Sequence, residues 1–302
     1  MIKNPATGTR CIATYSIVGR DPETGEIGVA VQSKFPCVGS AVPWVRASTG
    51  AVATQAWANT SFGPRGLELL DEGKSPEEVK EILISEDEGF MHRQFGIVDT
   101  QGRTATFTGD ECLYWAGGIA GENFACQGNI LKGEKTVEAM AEAFSTVEGD
   151  LAERLTMALM AAQEAGGDAR GMQAAALYIA KEGGGYGGYN DRFIDIRVDE
   201  NPDPIVELRR ILKVVRILFY RTKEGNLVDL TGEHQEYMLG ILRDGGYYDG
   251  PDGPWDEAMQ KALDLFYSTE NFEERMAEFG KIDIEVIDYL KSPDVTYVKL
   301  KR

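Results

Sequence analysis

The stretch TYSIVGRDPETGEIGVAVQS, residues 14–33, decides the fold. Two runs of mostly β-branched and small residues, 14–19 and 27–33, flank Asp21-Pro22-Glu23-Thr24-Gly25, whose proline and glycine suit a tight turn, so the pair reads as an antiparallel hairpin. Working outward, residues 50–56 form a strand pattern that runs into Asn59-Thr60-Ser61, capping types for a helix over 63–72. Ser75-Pro76-Glu77-Glu78 then supplies an N-cap, a first-turn proline and two acids for a second helix reaching Ile84. Residues 93–99 and 103–108 make another hairpin across Thr100-Gln101-Gly102, and strand-like pieces continue through Trp115 and over 124–127. Helices over 137–145 and 151–165 follow, the second closed by Gly166-Gly167, and strands over 174–180 and 192–198 flank a glycine-rich loop. Strands come in runs and helices in pairs. That order predicts an α+β fold with two antiparallel sheets between helical layers, not a doubly wound parallel sheet.

Beyond Asn201-Pro202-Asp203-Pro204 lies a basic helical stretch, 206–221, whose segment 211–220 is apolar nearly all round and predicts either self-association into a homo-oligomer or docking of the C-terminal module. After Gly225-Asn226 the pattern turns helical again, with helices over 233–244 and 256–267 separated by a Gly/Asp/Pro turn at 245–254. The whole chain, 302 residues with 43% hydrophobic content, has enough apolar material for a substantial core. Its net charge of −18 repels phosphate backbones and anionic lipid, which argues against nucleic-acid and membrane-surface partners. The acidity is shared, −8 of it falling in residues 230–302. Cys11, Cys37, Cys112 and Cys126 include no CxxC pair, and no stretch has signal-peptide or membrane-span character, so the expected compartment is the cytoplasm.

Familiar motifs fail one by one. Gly183, Gly185 and Gly188 satisfy GxGxxG, yet a strand follows where a dinucleotide site needs a helix N-terminus. There is no P-loop and no GxSxG, and Asp249 and Asp252 do not have calcium-loop spacing. His92 and His234 are the chain's only histidines and lie far apart, so no metal and no cofactor is expected. An enzyme so poor in histidine must find its base elsewhere. A Thr, Ser or Cys exposed as the first residue carries its own α-amine beside its nucleophile, with a pKa near ~8. The candidates of that type near the N-terminus are Cys11, Thr14 and Ser16.

The run from Thr14 to Lys34, with Val38-Gly39-Ser40, Val42-Pro43-Trp44, 50–55, Phe62-Gly63-Pro64, Arg93-Gln94, Gln127-Gly128-Asn129, Gly166-Gly167-Asp168, Arg170-Gly171 with Gln173, and 195–199, resembles the family called domain of unknown function 1028. That resemblance implies the four-layer αββα sandwich of N-terminal-nucleophile hydrolases over 14–205, with 206–229 as a helical connector and 1–13 as an extension. It maps the nucleophile onto Thr14. Relatives often begin Met-Thr, whereas thirteen residues precede Thr14 here, so a free amine requires cleavage between Ala13 and Thr14. Ala174 stands where relatives often have serine. Within 230–302, the run LRDGGYYDGPDGPW, residues 242–255, resembles peptidoglycan-binding modules, with Tyr247, Tyr248 and Trp255 as sugar-stacking or turn-packing aromatics.

On this reading the protein is an amidohydrolase acting on a small amide; the alternative is a non-catalytic αββα scaffold whose C-terminal module binds a peptidoglycan fragment or another partner. Ser33 or Lys34 tunes the amine of Thr14, and Gln55, Asn59 or a backbone N–H near Thr54 donates to an oxyanion. Lys34 is otherwise a solvated strand-end charge and Asn59 a helix cap. Asn129 is a donor or a turn residue. Asp168 and Arg170 form an ion pair after the helix or belong to a substrate-binding set in which Arg46 or Arg170 holds a substrate carboxylate.

Overall fold

The computed structural model describes residues 14–293 and 295–300. The extension 1–13, with Cys11, lies outside the described residues. The chain divides into two compact units, one extending to Ile211 and the other starting at Leu212.

The first unit runs β1 (Thr14–Arg20), β2 (Ile27–Ser33), β3 (Pro43–Arg46), β4 (Gly50–Ala56), α1 (Phe62–Asp71), α2 (Pro76–Ser85), β5 (Arg93–Asp99), β6 (Thr104–Thr108), β7 (Trp115–Gly121), β8 (Phe124–Leu131), α3 (Lys135–Thr146), α4 (Leu151–Glu164), β9 (Ala174–Ala180) and β10 (Arg192–Val198), then enters α5 (Pro204–Phe219). It is an α+β unit with two antiparallel sheets, ordered β10-β9-β2-β1-β8-β7 and β3-β4-β5-β6. The hairpin of β1 and β2 sits at the centre of the larger sheet, with Thr14 opposite Ser33 and Arg20 opposite Ile27.

Strand alternation gives β1 two different faces. Tyr15 reaches Gln163 of α4, and Gly19 lies so close to Phe144 and Leu155 that an added Cβ would come within 2.8 Å of the Phe144 ring. Only glycine allows α3 and α4 that approach. Val18, on the other face, packs with Val29, Val31, Ala51, Ala53 and Val98 where β1 and β2 meet β4. A third apolar cluster, including Val52, Phe62, Leu69, Leu83, Phe95 and Ile97, joins the smaller sheet to α1 and α2. Phe144 is 1% exposed, so its truncation to alanine costs ~3–5 kcal/mol.

Local signals explain most boundaries. Ser75 and Glu78 form the expected capping box at α2, and Asp150 caps α4 by accepting from the Glu153 N–H. Ser61 precedes α1 without a side-chain cap, contrary to expectation, because its N–H and hydroxyl both donate to Asn59 instead. Strand β3 escapes periodicity at four residues, and its pairing with β4 creates it.

The second unit holds the rest of α5, β11 (Leu227–Asp229), α6 (Gly232–Asp244), α7 (Glu257–Glu270), β12 (Lys281–Asp283) and α8 (Ile284–Leu290). The β11–β12 ribbon was not anticipated, because its strands lie 52 positions apart from Asp229 to Lys281 and carry no shared local signal.

 Each strand is three residues long, and only the tertiary pairing of Leu227 with Asp283 and of Asp229 with Lys281 makes them strands. Leu239, Leu242, Leu263, Phe266, Ile282 and Val286 form the core of this unit. Ile217 packs into the same core, which takes up part of the apolar 211–220 face that the sequence assigns to self-association. Buried Arg275 ties the unit together, pairing with Asp283 at 2.7 Å and donating to the carbonyls of Arg216 and Ile217. No helix among the described residues is long and apolar enough to cross a membrane.

Candidate functional site

Thr14 opens β1 and is 1% exposed, with its hydroxyl oxygen 3.0 Å from that of Ser33 across the hairpin. Its carbonyl accepts from the Gln55 side-chain amide at 3.2 Å and from that of Asn129 at 3.5 Å. Both amides also donate to one atom, Oε1 of Gln94, at 2.8 and 2.9 Å. Gln94 in turn donates to the Gly128 carbonyl at 2.8 Å and to the Thr108 hydroxyl at 2.9 Å. Ser16 donates to Oε1 of Gln55 at 2.6 Å and accepts from Gln127 at 2.7 Å, which extends the network along β1. Apart from half-buried Thr108, these polar side chains are all 2% exposed or less. A buried amide must be hydrogen-bonded or it destabilises the fold, and here the partners lock β1 against β4, β5 and β8. Gly96 makes room for this network, since a Cβ there would sit 2.1 Å from Oε1 of Gln127.

A cavity of about 380 Å³ lies beside Thr14. Phe35, Val38, Val42, Ala56 and Trp57 give it apolar walls, and Thr14, Gln55, Thr60 and Arg93 are its polar groups. Ala56 has φ +68°, a left-handed conformation that costs an alanine about 1 kcal/mol and turns the chain from β4 into this wall. Arg93 brings no net charge. Its guanidinium donates to Asp87 at 2.7 Å and to the Trp57 carbonyl, and that pairing holds the Asp87 carboxyl down to about 2.

The structure therefore brings Thr14, Ser33, Gln55 and Asn129 together and leaves the other expected residues apart. The amide hydrogens of Gln55 and Asn129 are directed to the Thr14 carbonyl and to Oε1 of Gln94. The Thr54 N–H is likewise engaged, by the Val42 carbonyl. Asn59 donates to Asp87 at 3.3 Å and accepts from Ser61, organising the loop after β4. Exposed Lys34 directs its ammonium to the Met172 carbonyl at 2.9 Å. Asp168 accepts from the Lys34 N–H and from Arg170, with which it forms an ion pair. Arg46 pairs with Asp71 near the surface and does not line the cavity. In the second unit Tyr247 packs edge-on to Phe266, Tyr248 is 8% exposed and donates to the Pro251 carbonyl, and Trp255 donates to Gln260. All three rings pack the turn.

Arg93, Gln94 and Gln127 escaped the sequence reading as site residues, and Ser16 entered it only as a candidate nucleophile. A polar residue inside a strand has no local signature of the sheet it faces, although alternation placed Ser16 on the same face as Thr14. Cys37, Cys112 and Cys126 are free thiols, burial pushing Cys112 up to about 11 and Cys126 up to about 12. No group of three or more His, Cys, Asp or Glu side chains among the described residues is arranged to hold a metal ion.

Residues 14–208 match the model of a "Family of unknown function (DUF1028)", and residues 218–290 match that of a "Putative peptidoglycan binding domain". A crystal structure of a DUF1028 protein from Silicibacter pomeroyi is similar, with 29% identity over 74% of this chain and 93% of that one and a TM-score of 0.62. No curated protein matches the chain. The first of these matches covers more than half of the sequence, and the chain belongs to the DUF1028 family.

Proposed function

We propose that in this DUF1028 member the first unit is an N-terminal-nucleophile amidohydrolase built on an αββα sandwich, and that the second unit binds a peptidoglycan fragment. One observation carries the hydrolase reading: a buried threonine begins the central strand beside a cavity, with its carbonyl pinned by two amides and its hydroxyl against another hydroxyl. Cleavage between Ala13 and Thr14 frees the α-amine. The amine then takes the proton of the Thr14 hydroxyl as its oxygen attacks the amide carbonyl carbon. Collapse of the tetrahedral intermediate breaks the C–N bond, the amine's proton passes to the leaving nitrogen, and an ester to Thr14 remains. Water, deprotonated by the same amine, attacks the ester and returns the hydroxyl. Ser33 orients the nucleophile.

The cavity walls also select a substrate class. They are apolar, Arg93 is neutralised by Asp87, and neither Arg46 nor Arg170 lines the cavity, so the acyl group that fits is neutral and apolar. A panel of N-acyl p-nitroanilides of increasing acyl size tests this reading on the processed protein. Release of nitroaniline that rises with apolar acyl size and disappears in Thr14→Ala supports it. Turnover unaffected by Thr14→Ala overturns it, and saturable binding of the panel without turnover favours a non-catalytic binding pocket.

A further inference from the structure

Five residues of α6, Gly232, Gln235, Glu236, Leu239 and Arg243, fall at spacings of three, four, seven and eleven from the first, one stripe of a helix. That stripe forms one wall of a groove of about 370 Å³, and Asp252 and Gly253 of the following turn form the other. The turn is fastened to the helix. Gln235 donates to the Gly253 carbonyl, and Arg243 pairs with Asp252 at 2.7 Å and donates to the Gly250 carbonyl at 3.1 Å. Arg243 also lies over the Tyr248 ring, which buries one side of the guanidinium stem. The walls are therefore set before any ligand arrives, which lowers the ordering cost of binding.

Charge decides what the groove takes. Arg243 and Asp252 neutralise each other, whereas the Glu236 carboxylate has no ion-pair or hydrogen-bond partner among the described residues and leaves the groove with one net negative charge. The expected aromatic platform is absent from this lining, because Tyr247, Tyr248 and Trp255 pack the turn. A sugar face would find nothing to stack on there. We infer that this groove, resting on the peptidoglycan reading of the second unit, is its ligand site and takes the peptide part of the fragment, with Glu236 receiving the side-chain ammonium of a diamino acid and Gln235 and Arg243 lining the peptide's path.

Titration calorimetry on the full chain tests this with three probes: a disaccharide-peptide bearing a free side-chain amine, the same molecule with that amine acetylated, and the disaccharide alone. The expected result is that acetylation weakens binding about tenfold, that the disaccharide alone does not bind measurably, and that Glu236→Gln loses the preference for the free amine. Gln235→Ala, which leaves Arg243 and its turn contacts in place, weakens binding of both peptide-bearing probes. Equal binding of all three probes, or free-amine binding untouched by Glu236→Gln and Gln235→Ala, overturns the groove assignment and leaves the peptidoglycan reading standing. Absence of binding by any probe to the unmodified chain overturns both.

Discussion

The cavity at Thr14 and the groove on α6 have nearly the same volume, about 380 and about 370 Å³, and opposite linings. The first is walled by apolar side chains, and the polar groups that matter lie behind Thr14 in a network that fixes the backbone. The second presents charged and amide groups directly, with Leu239 as its buried apolar member. Such a difference separates two tasks. A site for covalent chemistry gains from one nucleophile held still where water is scarce, whereas a recognition groove gains from groups that meet the ligand's own charges.

The largest effect expected is at Thr14. Thr14→Ala should lower p-nitroanilide hydrolysis by about 10³-fold or more while leaving peptide binding in the second unit unchanged; a matching loss in both would break the division of labour. Next is the hub of the network. Gln94→Ala leaves two buried amides without their shared acceptor and should cost about 3 kcal/mol in urea unfolding of the first unit. Gln94→Glu keeps the shared acceptor but turns a carboxylate oxygen towards the Gly128 carbonyl, so it should recover stability only at low pH, where the protonated side chain can donate.

A smaller effect sharpens the contrast in charge. Asp87→Asn leaves Arg93 without its counter-ion at the cavity, so the ratio of rates for carboxylate-bearing over neutral acyl groups should rise several-fold. The same pair sets a pH dependence. Asp87 titrates lower in the folded than in the unfolded chain, so its contribution to stability is complete above the ordinary carboxylate range and is lost as pH falls towards about 2. In urea titrations the native protein should exceed Asp87→Asn in stability at pH 6, with the gap closing below pH ~4.

Much of the framework was legible in residues 14–33, because turn chemistry and alternation are local. The same holds for α2 and α4, whose caps are spelled by Ser75, Glu78 and Asp150. The site was legible only in part. Thr14 and Ser33 could be paired because a hairpin joins them, but the other partners of Thr14, Gln55 on β4 and Asn129 on β8, are 41 and 115 positions away. Gln94 illustrates the limit: within β5 it is an ordinary polar residue, and only the packing of one sheet on another makes it the acceptor shared by Gln55 and Asn129. The roles of Tyr247, Tyr248 and Trp255 were hidden for the same reason, since an aromatic near a turn gives no sign of which side will be covered.

The proposed hydrolysis requires a free α-amine on Thr14. N-terminal sequencing of the purified, hydrolytically active protein tests it most directly. The predicted result is a chain beginning Thr14-Tyr15-Ser16, released by cleavage after Ala13. An active chain that still carries residues 1–13 would contradict it.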